Sequence, residues 1–207
     1  MSPTEPVVRI VDDDASFRTA VTRLLRAAKY TVRGYGSARE FLDSDPRTEP
    51  GCILLDLKMP GVSGFELQES LAALEERLPI IFLSGHGTIP TSVRAMKAGA
   101  VDFLTKPVRR EALLPAVENA LDVDAERRVA RAHLGELKSR YENLTPRERE
   151  VLAHVVGGKP NKLIAFDLGM SERTVKAHRA SLMEKLRVQS VAELARLALE
   201  LGIQPIR

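Results

Sequence analysis

Val7-Val8-Arg9-Ile10-Val11-Asp12-Asp13-Asp14 decides the fold. A short β-branched run reads as a strand, and the carboxylates that close it mark its end. Working outward, similar runs stand at Thr31–Tyr35, Cys52–Leu57, Ile80–Ser84 and Val101–Thr105. Amphipathic stretches lie between them, such as Phe17–Ala28 with Val21, Leu24 and Leu25 at helical spacing. Ser37 with Glu40 and Ser63 with Glu66 each fit a capping box, where hydroxyl and carboxylate satisfy orphan N–H groups at a helix start. Five strands alternating with helices predict an α/β doubly wound parallel sheet. Ligands of such sheets bind beyond the carboxyl ends of the strands, at the switch in strand order.

The 207 residues suit two domains. Charged residues at 29% and apolar ones at 44% are ordinary globular proportions and exclude a fibre. No apolar run approaches the roughly 20 residues of a membrane span. The opening Met1–Val8 has no basic region followed by an apolar core, so the expected location is cytoplasmic, with no membrane partner. The single cysteine, Cys52, excludes an intramolecular disulfide and a cysteine metal cage, and reads as a small buried apolar residue. The net charge of +3 divides unevenly: residues 1–122 carry −2, residues 123–142 carry +1, and residues 143–207 carry +4. An acidic-leaning front joined to a basic tail suggests a sensing or catalytic module joined to a nucleic-acid reader.

After Pro107 the pattern turns helical, with Pro115 expected to kink the first helix near its start. Residues 123–142 read as a helical linker. Their apolar stripe, Ala130, Leu134, Leu137, Tyr141 and Leu144, fits either a partner helix or packing on the chain's own domain. In the tail, Thr145, Pro146 and Glu148 open a helix, and four helices follow at about 146–156, 161–168, 171–186 and 190–200.

The chemistry gathers at strand ends. Asp12, Asp13 and Asp14 follow the first strand and Asp56 closes the third, a neighbour in a doubly wound sheet. Converging carboxylates repel, and a hard divalent cation such as Mg2+ neutralises them while accepting a phosphate oxygen. Ser84 ends the fourth strand with a hydroxyl, and Lys106 ends the fifth with an ammonium before Pro107, where a cis bond is open. Together they suit phosphoryl transfer, with Asp56 as nucleophile and Lys106 and Ser84 on the phosphoryl oxygens. Taken singly, the acidic loop is as well explained by helix capping.

Asp12-Asp13-Asp14, Asp56-Leu57-Lys58-Met59-Pro60-Gly61, Ser84-Gly85-His86-Gly87 and Phe103-Leu104-Thr105-Lys106-Pro107 resemble, in order, the receiver domain of two-component response regulators, a flavodoxin-like fold. The resemblance covers about residues 5–122. It implies that Asp56 accepts phosphate from a sensor histidine kinase. Asp12, Asp13, Asp56 and the Lys58 backbone carbonyl would hold Mg2+, with Asp14 a weaker ligand. Ser84 and Phe103 would form the switch pair, Lys106 would stabilise the phosphoryl group, and Lys58 and His86 would tune dephosphorylation. For His86 a solvent-exposed loop histidine is the equal alternative.

In the tail, Ala165, Gly169 and Val175 carry helix-turn-helix spacing: a small residue for close crossing, a glycine for the left-handed turn, an apolar pin. With Val175, Leu182 and Leu186 inward, Arg173, Lys176, Ala177, Ala180, Ser181 and Glu184 face outward. A solvated charged face is the plain alternative. Leu144–Leu152, Asn161–Ala165 and Ser171–Arg179 resemble the LuxR-type DNA-binding domain over about residues 143–202. The resemblance implies DNA contacts from Lys162, Arg173, Thr174, Lys176, Ala177, Arg179, Ala180 and Lys185, Lys176 reaching guanine acceptors and Lys162, Arg179 and Lys185 reaching phosphates.

The pairing is similar to the FixJ/NarL class of transcription factors. The expected function is a phosphorylation-activated transcription regulator. Expected partners are the kinase, promoter DNA and RNA polymerase. Phosphorylation would act through the Thr91–Ala98 helix and Val101–Thr105 strand to favour a homodimer. Self-phosphotransfer and slow autodephosphorylation would be its only reactions. Rival readings are a phosphorylation-independent regulator using the receiver as a dimer scaffold, and a metal-dependent aspartyl phosphatase. The second lacks an Asp two residues past Asp56, where Lys58 stands.

Overall fold

The computed structural model describes residues 5–44, 49–72, 78–85 and 88–206. Among these, five strands and nine helices form two compact units that divide between Arg127 and Arg128. In the first unit β1 (Val7–Val11), β2 (Thr31–Tyr35), β3 (Gly51–Asp56), β4 (Ile80–Ser84) and β5 (Asp102–Thr105) make one parallel sheet in the order β2-β1-β3-β4-β5. The order reverses between β1 and β3, which opens a crevice at their carboxyl ends. Helices α1 (Ala15–Ala27), α2 (Ala38–Asp43), α3 (Gly64–Ala72) and α4 (Ile89–Lys97) connect the strands.

Alternation along each strand builds two cores. Val11, Ile53, Leu55 and Phe82 pack on one face of the sheet, and Val8, Ile10, Leu54, Ile81 and Leu83 pack on the other. Each fully buried side chain of this size contributes about 2 kcal/mol. The pairing of Val7 with Gly51 sets the β1–β3 register and brings the end of β1 beside the end of β3. β3 therefore begins and ends one residue earlier than its apolar run suggests, and Asp56 is its last residue. β5 starts at Asp102, one residue later than expected.

The Ser63–Glu66 box closes as expected, Glu66 accepting from the Ser63 amide at 2.8 Å. At Ser37 it does not: Glu40 reaches one residue further back, accepting from the Gly36 amide at 2.6 Å.

Helix α5 runs unbroken from Arg110 to Glu142, through Pro115 and across residues 123–142. Pro115 does not interrupt it, because the carbonyl that loses its donor, on Glu111, lies in an exposed first turn. Leu137 and Leu144 are buried in the core of the second unit with Tyr141 packed against them, so this part of the apolar stripe is used within the chain.

The second unit adds α6 (Pro146–Val156), α7 (Asn161–Leu168), α8 (Glu172–Leu186) and α9 (Val191–Glu200). Thr145 and Glu148 form a full capping box ahead of α6. Gly169 ends α7 at φ 64°, the left-handed conformation that the turn into α8 requires. Ala165 and Val175 are buried on either side of it.

Candidate functional site

The carboxyl ends of β1 and β3 bring Asp12, Asp13 and Asp56 together, one carboxylate oxygen of each lying within 4.8 Å of the others. Asp12 is fully buried, Asp56 is 6% exposed and Asp13 faces solvent. Gly64 permits the approach of α3: a Cβ there would stand 2.4 Å from the Asp56 carbonyl oxygen. From the end of β5, Lys106 extends over the ring of Phe17, 4.3 Å from its centroid. Its ammonium reaches 2.6 Å from Asp12 Oδ2 and 3.3 Å from Asp56 Oδ2. The Lys106 amide also donates to the Ser84 carbonyl at 2.8 Å, which ties the ends of β5 and β4 together. The Lys106–Pro107 bond is cis.

Burial pushes the Asp56 carboxyl above its ordinary range; Lys106 opposes this, Asp12 adds to it, and the Lys58 amide donates to the carboxylate. One ammonium among three carboxylates leaves the pocket short of positive charge. Asp12 Oδ2 is buried, and the Lys106 ammonium at 2.6 Å is shared with Asp56. An all-oxygen set of three carboxylates with one shared ammonium fits a hard divalent cation such as Mg2+.

Asp14 is occupied otherwise. Its Oδ1 accepts from the Ser16 and Phe17 amides at 2.8 and 3.1 Å and caps α1, and these bonds hold its carboxyl below the ordinary range. The helix-cap reading therefore holds for this aspartate, while Asp12 and Asp13 point to the pocket.

Ser84 is buried and Phe103 half-buried. Cross-strand register explains their relation: Phe82 pairs with Phe103 and Ser84 with Thr105, so hydroxyl and ring share one face of the sheet. The Phe82 and Phe103 rings lie 6.4 Å apart. Lys58 projects into solvent. His86 lies outside the described residues.

Sequence reasoning missed Arg18, whose Nη1 donates to the Asp12 carbonyl at 2.5 Å and pins the acidic loop to α1. Helical spacing from the Asp14 cap could have placed Arg18 beside that loop.

In the second unit Lys162, Arg173, Thr174, Lys176, Ala177 and Ala180 are exposed as expected. Thr174 also shares a 2.8 Å hydroxyl contact with Ser171 at the start of α8. Arg179 is half-buried, its Nη1 donating to Asn161 Oδ1 at 2.6 Å. Two residues turn inward against expectation. Lys185 Nζ lies 2.7 and 2.9 Å from the two carboxylate oxygens of Glu148, and Ser181 Oγ donates to Glu148 at 2.6 Å. Glu148 is buried, and a buried carboxylate draws in whatever donors reach it. Burial alone would raise the Glu148 carboxyl, but bonds from Lys185, Ser181 and Thr145 outweigh it and lower it to about 2.

A doubly wound domain with carboxylates, hydroxyl and lysine at its strand ends, followed by a helix-turn-helix, defines a phosphoacceptor module joined to a DNA reader. The response regulator receiver domain family matches residues 8–118, and the bacterial regulatory proteins of the luxR family match residues 142–198. Nodulation protein W of Bradyrhizobium diazoefficiens is 46% identical over 200 residues, 97% of this chain and 88% of the relative. Transcriptional regulatory protein FixJ of Rhizobium meliloti is 41% identical over 204 residues, 98% of this chain and 99% of the relative. The solved structure of response regulator StyR is similar at 46% identity and a TM-score of 0.82, over 95% of this chain and 99% of that one. The chain belongs to the response regulators that couple a receiver to a LuxR-type DNA-binding domain, a family of phosphorylation-dependent transcription regulators.

Proposed function

We propose that Asp56 is the phosphoacceptor and that its modification controls DNA binding by α8. The observation that carries this is the meeting of Asp12, Asp13 and Asp56 around Lys106 at the switch in strand order. Asp12, Asp13, Asp56 and the Lys58 backbone carbonyl would hold Mg2+, which when bound supplies positive charge beside the phosphoryl oxygens. An Asp56 oxygen attacks the phosphorus of a sensor kinase's phosphohistidine. The P–N bond breaks as the P–O bond forms. Lys106 then pairs with a phosphoryl oxygen, the Ser84 hydroxyl moves to donate to another, and Phe103 turns into the space released. Phe103 lacks a phenol hydroxyl, so its readout is by packing alone. By the family positions they occupy in the sequence, Lys58 and His86 would set how long the phosphoryl group lasts.

The face that would feel this change is α4, where Ile89, Val93 and Met96 are exposed apolar side chains that support a homodimer of the phosphorylated protein. A dimer presents two α8 helices to an inverted-repeat promoter site, in the cytoplasm where RNA polymerase works. On α8, Lys176 reaches base edges beside Ala177 and Ala180, while Arg173 and Thr174, with Lys162 on α7, meet the backbone. Lys185, held by Glu148, supports the domain instead.

To test this, gel-filtration mass and promoter binding are compared with and without a phosphoryl mimic, in wild type and Asp56→Asn. Wild type should dimerise and bind more tightly with the mimic, and the variant should not respond. The same behaviour in all four samples would overturn the switch.

A further inference from the structure

Asn161 is the first residue of α7, following Pro160 at the N-cap, whose ring offers no oxygen to the helix amides. Its Oδ1 turns away from its own helix and accepts from Arg179 Nη1 across to α8 at 2.6 Å. Arg179 is also unlike its neighbours on α8. It lies four residues after buried Val175 and three before buried Leu182, so its stem follows the core stripe, away from the exposed Lys176, Ala177 and Ala180. A long cation on that stripe has many rotamers, and one bond from a neighbouring helix selects among them. The planar guanidinium keeps further N–H donors when one is spent on Asn161.

We propose that Asn161 is a positioning residue for DNA: it holds the Arg179 guanidinium so that its remaining donors meet a backbone phosphate beside the Lys176 face. The inference rests on the reading of α8 as the DNA-contacting helix. Asn161 contributes no charge of its own and acts through Arg179. The pair thus divides the work, Arg179 supplying attraction and Asn161 the orientation that makes the attraction bidentate.

The test uses the full chain, treated with a small acyl phosphate and Mg2+, on a short random-sequence duplex titrated at several salt concentrations. Arg179→Gln keeps an amide able to donate to Asn161 but removes the charge. It should weaken binding about ten-fold and flatten the log–log salt dependence by about one phosphate. Asn161→Ala should weaken binding about three-fold with the salt slope kept, since the charge remains. In the Arg179→Gln background, Asn161→Ala should add nothing. Thermal unfolding of each variant separates folding from binding. Unchanged binding by Arg179→Gln overturns the proposal. So does an Asn161→Ala effect that persists without Arg179, or losses that follow stability with an unchanged slope. Lys176→Ala distinguishes the two levels of the argument. If it weakens binding and Arg179→Gln does not, only the positioning fails; if neither matters, the α8 reading fails with it.

Discussion

Two buried acidic sites in this molecule are built in opposite ways. Glu148 in α6 receives two contacts from Lys185, one from the Ser181 hydroxyl and one from the Thr145 amide, and its carboxyl falls to about 2. In the receiver, Asp12 and Asp56 share the single Lys106 ammonium, Asp13 adds a third carboxylate beside them, and Asp56 is pushed upward by burial. A buried charge whose partners are complete contributes to the fold, whereas one left short of partners is held ready for a ligand. Sequence alone marks Glu148 at a helix start and the pocket carboxylates at strand ends, but not which site is complete. The surrounding donors separate them.

Breaking the completed site should have the largest effect on stability. Glu148→Ala leaves the half-buried Lys185 without its partner and removes the capping box, and should cost the second unit about 3 kcal/mol in urea unfolding. A change below about 0.5 kcal/mol would show that the network is ornamental. Acid tests the same site. Because folding lowers the Glu148 carboxyl from 4.5 to about 2, its contribution is full above about pH 5 and fades as the pH falls toward 2. Circular dichroism of Glu148→Gln should lose that part of the acid dependence.

The incomplete site should answer in the other direction. Mg2+ at about ten times its Kd should stabilise the receiver by about 1.4 kcal/mol, read as a rise in Tm, and Asp12→Asn should abolish the response. Asp56→Asn removes a buried charge that repels Asp12, and should itself stabilise the Mg2+-free protein by about 1 kcal/mol. Destabilisation by this variant would mean that Lys106 already satisfies the pocket. Asp14→Ala deletes only an exposed helix cap; it should lower Tm least and leave the Mg2+ response intact.

Much of this was legible before any coordinates. β1 and β4 occupy the runs their β-branched residues suggest, because a buried parallel strand needs a largely apolar segment, and the edge strand β2 matches through inward Val32 and Tyr35. The pocket carboxylates stood out because they end such runs. Gly169 announced the turn through its freedom of φ. What remained hidden depends on contacts distant in sequence. Lys185 lies on a flank of α8, and only the placement of Glu148, 37 residues away, turns its ammonium inward. Resemblance marks Asp14 as the weaker ligand, but only the first turn of α1 shows that the amides take its carboxylate. The continuity of α5 was obscured by Pro115 and by the change of partner along one helix, receiver core at Leu113 and Val117, second core at Leu137.

On the proposed reading, the pocket takes a phosphoryl group on Asp56. Intact mass after incubation with a small acyl phosphate and Mg2+, followed by peptide mapping, tests it directly. Wild type should gain one phosphoryl group at Asp56, lose the gain when Mg2+ is chelated, and show none in Asp56→Asn. Labelling that ignores Mg2+ or persists in the variant would contradict the account.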